Sequence, residues 1–169
     1  MNYRDLTVVI PTLNEAQTID VLLGKLTKSY ANINVLVADD GSTDRTKETV
    51  RRFGNRNRRI RLLDRTKAKE HGPTISDMDA AMHVGTPYMI IMDGDLQHPY
   101  EKVAQMHELL KKNDVVVAVR TKIKKWKFHR LMLSRAATYI SYIVFTIRRK
   151  PRVSDMMSGF ELMIASCRL

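Results

Sequence analysis

Short apolar runs alternate with apolar positions at helical spacing along the first 119 residues, and this alternation predicts the elements. Residues 6–10, LTVVI, are a β-branched run stopped by Pro11 and read as a first buried strand. Asn14 stands where it would cap a helix, with Gln17 three places on to complete a capping box. Ile19, Leu22, Leu23 and Leu26 then recur at the spacing of one apolar helical face. A second strand is expected over 33–38, INVLVA, and a short helix around Thr46, Val50 and Phe53. The polar, basic residues 55–59 read as a loop and residues 60–63 as a third strand. Ile75, Met78 and Met82 predict a helical face, 88–92 a strand, and Val103, Met106 and Leu110 another helix. That last helix has Pro99 at its expected first position, where a missing N–H costs nothing. Residues 115–119, VVVAV, complete the pattern as a further strand.

Strands that are apolar throughout and alternate with helices predict an α/β fold, a mostly parallel Rossmann-like sheet covered on both faces. Ligands of such sheets sit beyond the carboxyl ends of the strands. Three predicted strands carry polar groups there: Asn14 and Glu15, Asp39 and Asp40, Asp93 and Asp95. In residues 89–99, MIIMDGDLQHP, a greasy run delivers two carboxylates separated by one glycine. Glycine lets the backbone leave the pleat, so Asp93 and Asp95 can turn toward one point. Their repulsion there is reversed by a divalent cation, and oxygen ligands suit Mg²⁺ or Mn²⁺ together with substrate phosphates. Gln97 and His98 stand next in line to complete the shell or orient a ligand. In DDGS, residues 39–42, the carboxylates can accept hydrogen bonds from a base or a ribose. Gly41 permits a tight turn there, and Ser42 reads as a helix cap. Turn-and-cap chemistry accounts fully for Ser42 and only partly for the two aspartates.

Beyond residue 120 the texture changes. Residues 120–130, RTKIKKWKFHR, concentrate lysine and arginine around Trp126 and Phe128; a long apolar stretch over 131–147 and a further basic cluster follow. The chain of 169 residues fits one domain, and its net charge of +11, from 29 Lys and Arg against 18 Asp and Glu, favours an anionic partner. Residues 122–150 fit contact with an anionic membrane surface or cover for the sheet, with equal weight. A single cysteine, Cys167, excludes an internal disulfide and agrees with a reducing compartment. The N-terminus lacks the pattern of a signal peptide, and the apolar 136–147 is too short to span a bilayer. None of the five histidines stands at zinc-ligand spacing from another, so all except His98 read as structural.

Taken together, VVIPTLNEAQTI, VLVADDGSTDRT and MIIMDGDLQHP resemble, in order and approximate spacing, the family 2 glycosyltransferases of GT-A fold. The nearest subgroup is that of the dolichyl-phosphate or polyprenyl-phosphate mannose or glucose synthases. The likeness runs from about Leu6 to Phe160. It implies that Pro11, Leu13, Glu15, Asp39, Asp40, Asp93 and Gln97 receive the donor nucleotide. It places the metal at Asp93, Asp95 and Gln97, and catalysis at Asp95, Arg120 and Arg130. Acceptor phosphate would meet Arg120, Arg130 and Arg135, with Ser158, Gly159 and Phe160 at its border. The implied reaction is inverting, metal-dependent transfer of a hexose, mannose from GDP-mannose foremost, to a polyprenyl or dolichyl phosphate. The protein would be cytoplasmic, peripheral at the cytoplasmic face of a membrane. Three departures stand out: Leu13 where an aromatic residue is commoner, one glycine and a proline in KAKEHGPTISDMDAAM, and Glu161 where arginine commonly follows Ser-Gly-Phe. Relatives are also expected to continue well past residue 169.

Rival readings differ at definite residues. A UDP-sugar donor with a sugar-hydroxyl acceptor would need a carboxylate base, for which Asp155 is the candidate. An aspartyl phosphatase would carry its Asp-x-Asp after the first strand, not late in the chain. A basic module that binds nucleic acid suits the charge but not three acidic strand ends, so no nucleic acid is expected as partner.

Overall fold

The structure, a computed structural model, describes residues 2–96 and 98–118. Gln97, Arg120, Arg130, Arg135, Ser158, Gly159 and the 122–150 segment therefore lie outside the described residues, as does Asp155. Residues 2–116 fall within one compact unit.

Four strands, β1 (Leu6–Thr12), β2 (Asn34–Asp39), β3 (Ile60–Asp64) and β4 (Tyr88–Ile91), form one sheet in the order β3-β2-β1-β4. All three pairings are parallel. The helices between them are α1 (Ala16–Ser29), α2 (Thr46–Arg56) and α3 (Pro73–Met82); α4 (Val103–Leu110) follows β4 after a 3-10 turn at Tyr100–Lys102. The chain steps β1, β2, β3 in one direction and then returns to place β4 on the far side of β1. Right-handed crossovers put α1 and α2 on one face and α3 on the other. Between β1 and β4 the order reverses, so a crevice opens at their carboxyl ends.

The core follows from strand periodicity. Val9, Leu36, Ala38, Met89 and Ile91 pack with Ala80 of α3, flanked by Leu63, Ala81 and Val84. Alternation turns Val8, Ile10, Val35, Val37 and Ile90, all buried, to the other face. The predicted face of α1 (Ile19, Leu22, Leu23, Leu26) is fully buried.

Pro11 lies inside β1 instead of ending it. β4 pairs β1 only from Leu6 to Val9, and Val9 O accepts the last bond on that side, from Met92 N–H at 3.0 Å. N–H groups alternate sides along a strand, so the missing donor of Pro11 faces the side that β4 has already left.

Other local expectations give way to tertiary contacts. Asn14 caps nothing: it sits at φ 58°, and its Oδ1 accepts the Thr43 N–H at 2.9 Å. The first turn of α1 is capped from the start of α2 and the loop before it, Thr46 Oγ1 accepting Glu15 N–H at 2.9 Å and Asp44 accepting Ala16 N–H at 3.1 Å. Ser42 likewise caps no helix, its Oγ accepting Asn14 N–H at 2.8 Å. In α3 the buried residues are Ser76 and Ala80, while Met78 and Met82 are 60% and 79% exposed. Small residues let α3 lie close against the strands, which the methionine spacing does not reveal. Pro99 precedes the 3-10 turn instead of starting α4. Residues 115–118 carry no strand pairing among the described residues, and Val115 and Val117 are exposed.

Candidate active site

β4 ends at Ile91, buried Met92 follows at the mouth of the crevice, and Asp93 stands just past the ladder. The Asp93 N–H donates to Nδ1 of the buried His98 at 3.2 Å. The Asp93 carboxylate stands 3.7 Å from the same ring nitrogen. His98 thus folds the 93–98 turn back on itself, with Leu96 in the left-handed region at φ 62°. Ligand atoms of Asp93, Asp95 and His98 all lie within 4.8 Å of one another.

Gly94 has a steric role. A Cβ there would run into the Glu15 carboxylate, which reaches over from the end of β1. Leaving the pleat, the reason inferred from sequence, requires no special φ at this position. Glu15 Oε2 is buried without a hydrogen-bond partner. Burial first, then the charges of Asp95, Asp93 and Asp44, push the Glu15 carboxyl up to about 7. Three carboxylates crowded at one point, one with an orphaned oxygen, fit a hard divalent cation and its oxygen preference.

The end of β2 is built differently. Asp39 is fully buried; its Oδ1 accepts Ser42 N–H at 2.8 Å and Gly41 N–H at 3.2 Å, and its Oδ2 accepts the Thr12 hydroxyl at 3.3 Å. It shapes the turn, with Gly41 at φ 97° supplying the left-handed residue. Asp40 faces the crevice but is held by Gly72 N–H at 2.6 Å, His71 Nδ1 at 2.9 Å and Arg65 at 2.5 Å. Burial works against its charge, yet the Gly72 and His71 hydrogen bonds and the Arg65 guanidinium hold its carboxyl below the usual carboxylate range.

Arg65 is a buried anchor beside the site that sequence reasoning missed. Only 3% exposed, it leaves the end of β3 and bonds Asp40, Ser76 Oγ at 2.5 Å, Asp79 at 2.8 Å and the Glu70 carbonyl at 3.1 Å. One guanidinium thereby ties β2, β3, α3 and the 65–72 loop together. Its signal was position alone, one residue past a third strand whose Asp64 lies in register with Asp39.

These elements enclose a pocket of about 310 Å³ whose lining includes Pro11, Leu13, Glu15, Asp40, Asp93 and Asp95. Six of the predicted site residues are thus brought together. Asp39 lies beneath them.

Residues 7–165 match the profile of Glycosyl transferase family 2. The chain belongs to that family. Relatives of this family 2 chain include a dolichol-phosphate mannosyltransferase of Pyrococcus furiosus, 28% identical over 161 residues, covering 91% of this chain and 44% of the relative. An undecaprenyl-phosphate mannosyltransferase of Micrococcus luteus is 26% identical, covering 90% and 63%. The chain spans about half the length of the curated relatives it matches. Among solved structures, the mannosyltransferase PcManGT from Pyrobaculum calidifontis, in complex with GDP-Man and Mn²⁺, superposes with TM-score 0.57 at 25% identity, over 71% of this chain and 38% of that one. A Mycobacterium tuberculosis glucosyl-3-phosphoglycerate synthase has TM-score 0.51 at 23% identity, over 66% and 41%, and shows the shared fold. The family 2 chain therefore has the α/β, GT-A type of sheet expected from its motifs.

Proposed function

We propose that this chain is the catalytic domain of a metal-dependent glycosyltransferase that moves a hexose, mannose from GDP-mannose, onto a polyprenyl or dolichyl phosphate with inversion. The observation that carries the reading is the convergence of Asp93, Asp95 and Glu15 on the pocket at the β1/β4 crossover. The relatives' activities on polyprenyl phosphates and the GDP-Man and Mn²⁺ bound by one neighbour support the donor, acceptor and metal classes.

Asp93 and Asp95, with Gln97, would hold Mn²⁺ or Mg²⁺. When bound, the cation neutralises charge gathering on the departing diphosphate. Pro11, Leu13, Glu15 and Asp40 receive the nucleotide, and Asp39 fixes the turn beneath it. A lipid phosphate, largely ionised at neutral pH, attacks the anomeric carbon from the opposite face and needs no general base. Arg120, Arg130 and Arg135 then serve to neutralise and orient that phosphate, with Ser158 and Gly159 at its border. Residues 122–150 meet the cytoplasmic face of the membrane through basic and aromatic side chains. Among the described residues no helix is long and apolar enough to cross a bilayer.

Thermal unfolding with GDP-mannose and UDP-glucose, with and without Mn²⁺, tests the donor assignment. GDP-mannose with Mn²⁺ should raise Tm most, since a ligand of the native state stabilises it by mass action. No shift with either sugar nucleotide in Mn²⁺ would overturn the reading.

A further inference from the structure

The opposite end of the sheet carries a second, oppositely charged cleft. Residues 51–61, RRFGNRNRRIR, contain six arginines. Two are neutralised, Arg51 by Asp64 at 3.1 Å and Arg52 by Asp20 at 2.5 Å. Arg56, Arg58, Arg59 and Arg61 have no carboxylate partner among the described residues. Arg58, Arg59 and Arg61 line a cleft of about 600 Å³ with Asn34 and His83, where β2 and β3 begin and α3 runs toward β4. The length of the strands, roughly 20 Å, separates it from Asp93 and Asp95.

We propose that this cleft binds a phosphate or diphosphate group, on a ligand separate from the one received at the carboxyl ends of the strands. The decisive feature is how its guanidinium groups are held. Arg59 donates to the Asn34 side-chain oxygen at 3.2 Å, and Arg61 donates to the His83 carbonyl at 2.8 Å. Both acceptors are neutral. They fix the two forks in place without cancelling charge, whereas Arg65 at the other end is balanced by Asp40 and Asp79. Each fork keeps donors to spare, and Arg58 adds a third guanidinium with no side-chain partner among the described residues. Planar, prepositioned donors match the paired oxygens of a phosphate and lose little entropy on binding it. Mutual repulsion among them disfavours the empty cleft, and an oxyanion removes it. The volume lies within the range of small-ligand sites. The nearest acid to His83, Asp79 at 3.7 Å, is already committed to Arg65.

Inorganic pyrophosphate, with chelator present so that no divalent cation bridges it to the aspartates, is the direct probe for the 169-residue chain. Tm should rise by several degrees beyond its value in sodium chloride of equal ionic strength. Arg58→Gln/Arg61→Gln should lower pyrophosphate affinity about tenfold or more, the loss expected when charged hydrogen bonds are removed. Asp93→Asn/Asp95→Asn should leave it unchanged, which separates this cleft from the donor reading. If the double variant fails to fold, Arg58→Gln alone serves, since that side chain is exposed and supports nothing. Equal affinity in parent and Arg58→Gln/Arg61→Gln, or a rise no greater than that in chloride, overturns the proposal. Sedimentation with phosphatidylcholine vesicles containing phosphatidic acid identifies the source. Stronger pelleting of the parent than of the double variant makes the ligand a lipid phosphate; equal pelleting with the pyrophosphate difference retained makes it a soluble one.

Discussion

Asp93, Asp95 and Glu15 behave as one unit although Glu15 comes from the distant turn between β1 and α1. With Glu15 raised to about 7, its proton is held more tightly in the folded state than in the unfolded chain. Ionising it therefore opposes folding, and the native state loses stability as pH rises from about 4.5 through 7. Glu15→Gln should be more stable than the parent above pH 7 in metal-free solution, by about 1–2 kcal/mol after solvent screening. Near pH 4 the two should coincide, and denaturant unfolding at both pH values with chelator reads the difference. Asp93→Asn and Asp95→Asn should leave the fold intact and abolish metal-dependent binding of the sugar nucleotide; binding equal to the parent, by calorimetry, would remove the metal assignment. The two aspartates were legible because they are local in sequence and follow a greasy run. That Gly94 stands where Glu15 needs room was not, because it depends on which side chain β1 sends across.

At the scale of elements, the sheet was readable and the joints between elements were not. Continuous apolar runs and helical spacing place every strand of the sheet and all four α-helices among the described residues. Joints depend on partners distant in sequence. Asn14 binds the 43–44 loop, and Asp44 and Thr46 cap α1 in return, a reciprocal arrangement that no single stretch discloses. Met78 and Met82 mislead for a related reason: large apolar residues mark a face only where there is space for them, and α3 meets the strands through Ser76 and Ala80. Arg65 is the strongest such joint. Asp40→Asn leaves its buried guanidinium with one fewer counter-charge, and stability should fall by about 3 kcal/mol. Urea unfolding measures that loss. Amide exchange over 65–72 should rise with it, since Gly72 N–H donates to the same carboxylate. Unchanged exchange in that loop would mean Asp40 does not hold it.

At the scale of the whole molecule, the described residues separate charge by end: acidic side chains gather at the carboxyl ends of the strands, and arginines without a carboxylate partner among the described residues at the amino ends. Most of the net charge of +11 is carried by Lys and Arg beyond residue 118. The acceptor side of the proposed reaction rests on residues carried over by resemblance. Arg130→Lys, in a chain extended to the length of its relatives, should lose about tenfold or more in transfer to polyprenyl phosphate at subsaturating lipid, because lysine cannot reproduce a paired grip on two oxygens. Donor affinity should not change. Equal transfer rates in parent and variant would withdraw Arg130 from the acceptor site.

Pro11 gives the crevice a mechanical property. Two neighbouring parallel strands tend to zip as far as their donors allow, and here the zipper meets a tooth that cannot engage. The bond that Pro11 would donate toward β4 cannot form, so β1 supplies no donor to carry its pairing with β4 past Val9. Pro11→Val restores the tooth. The variant should protect one more amide against exchange at the β1/β4 seam and gain stability, while the pocket mouth narrows and sugar-nucleotide association slows.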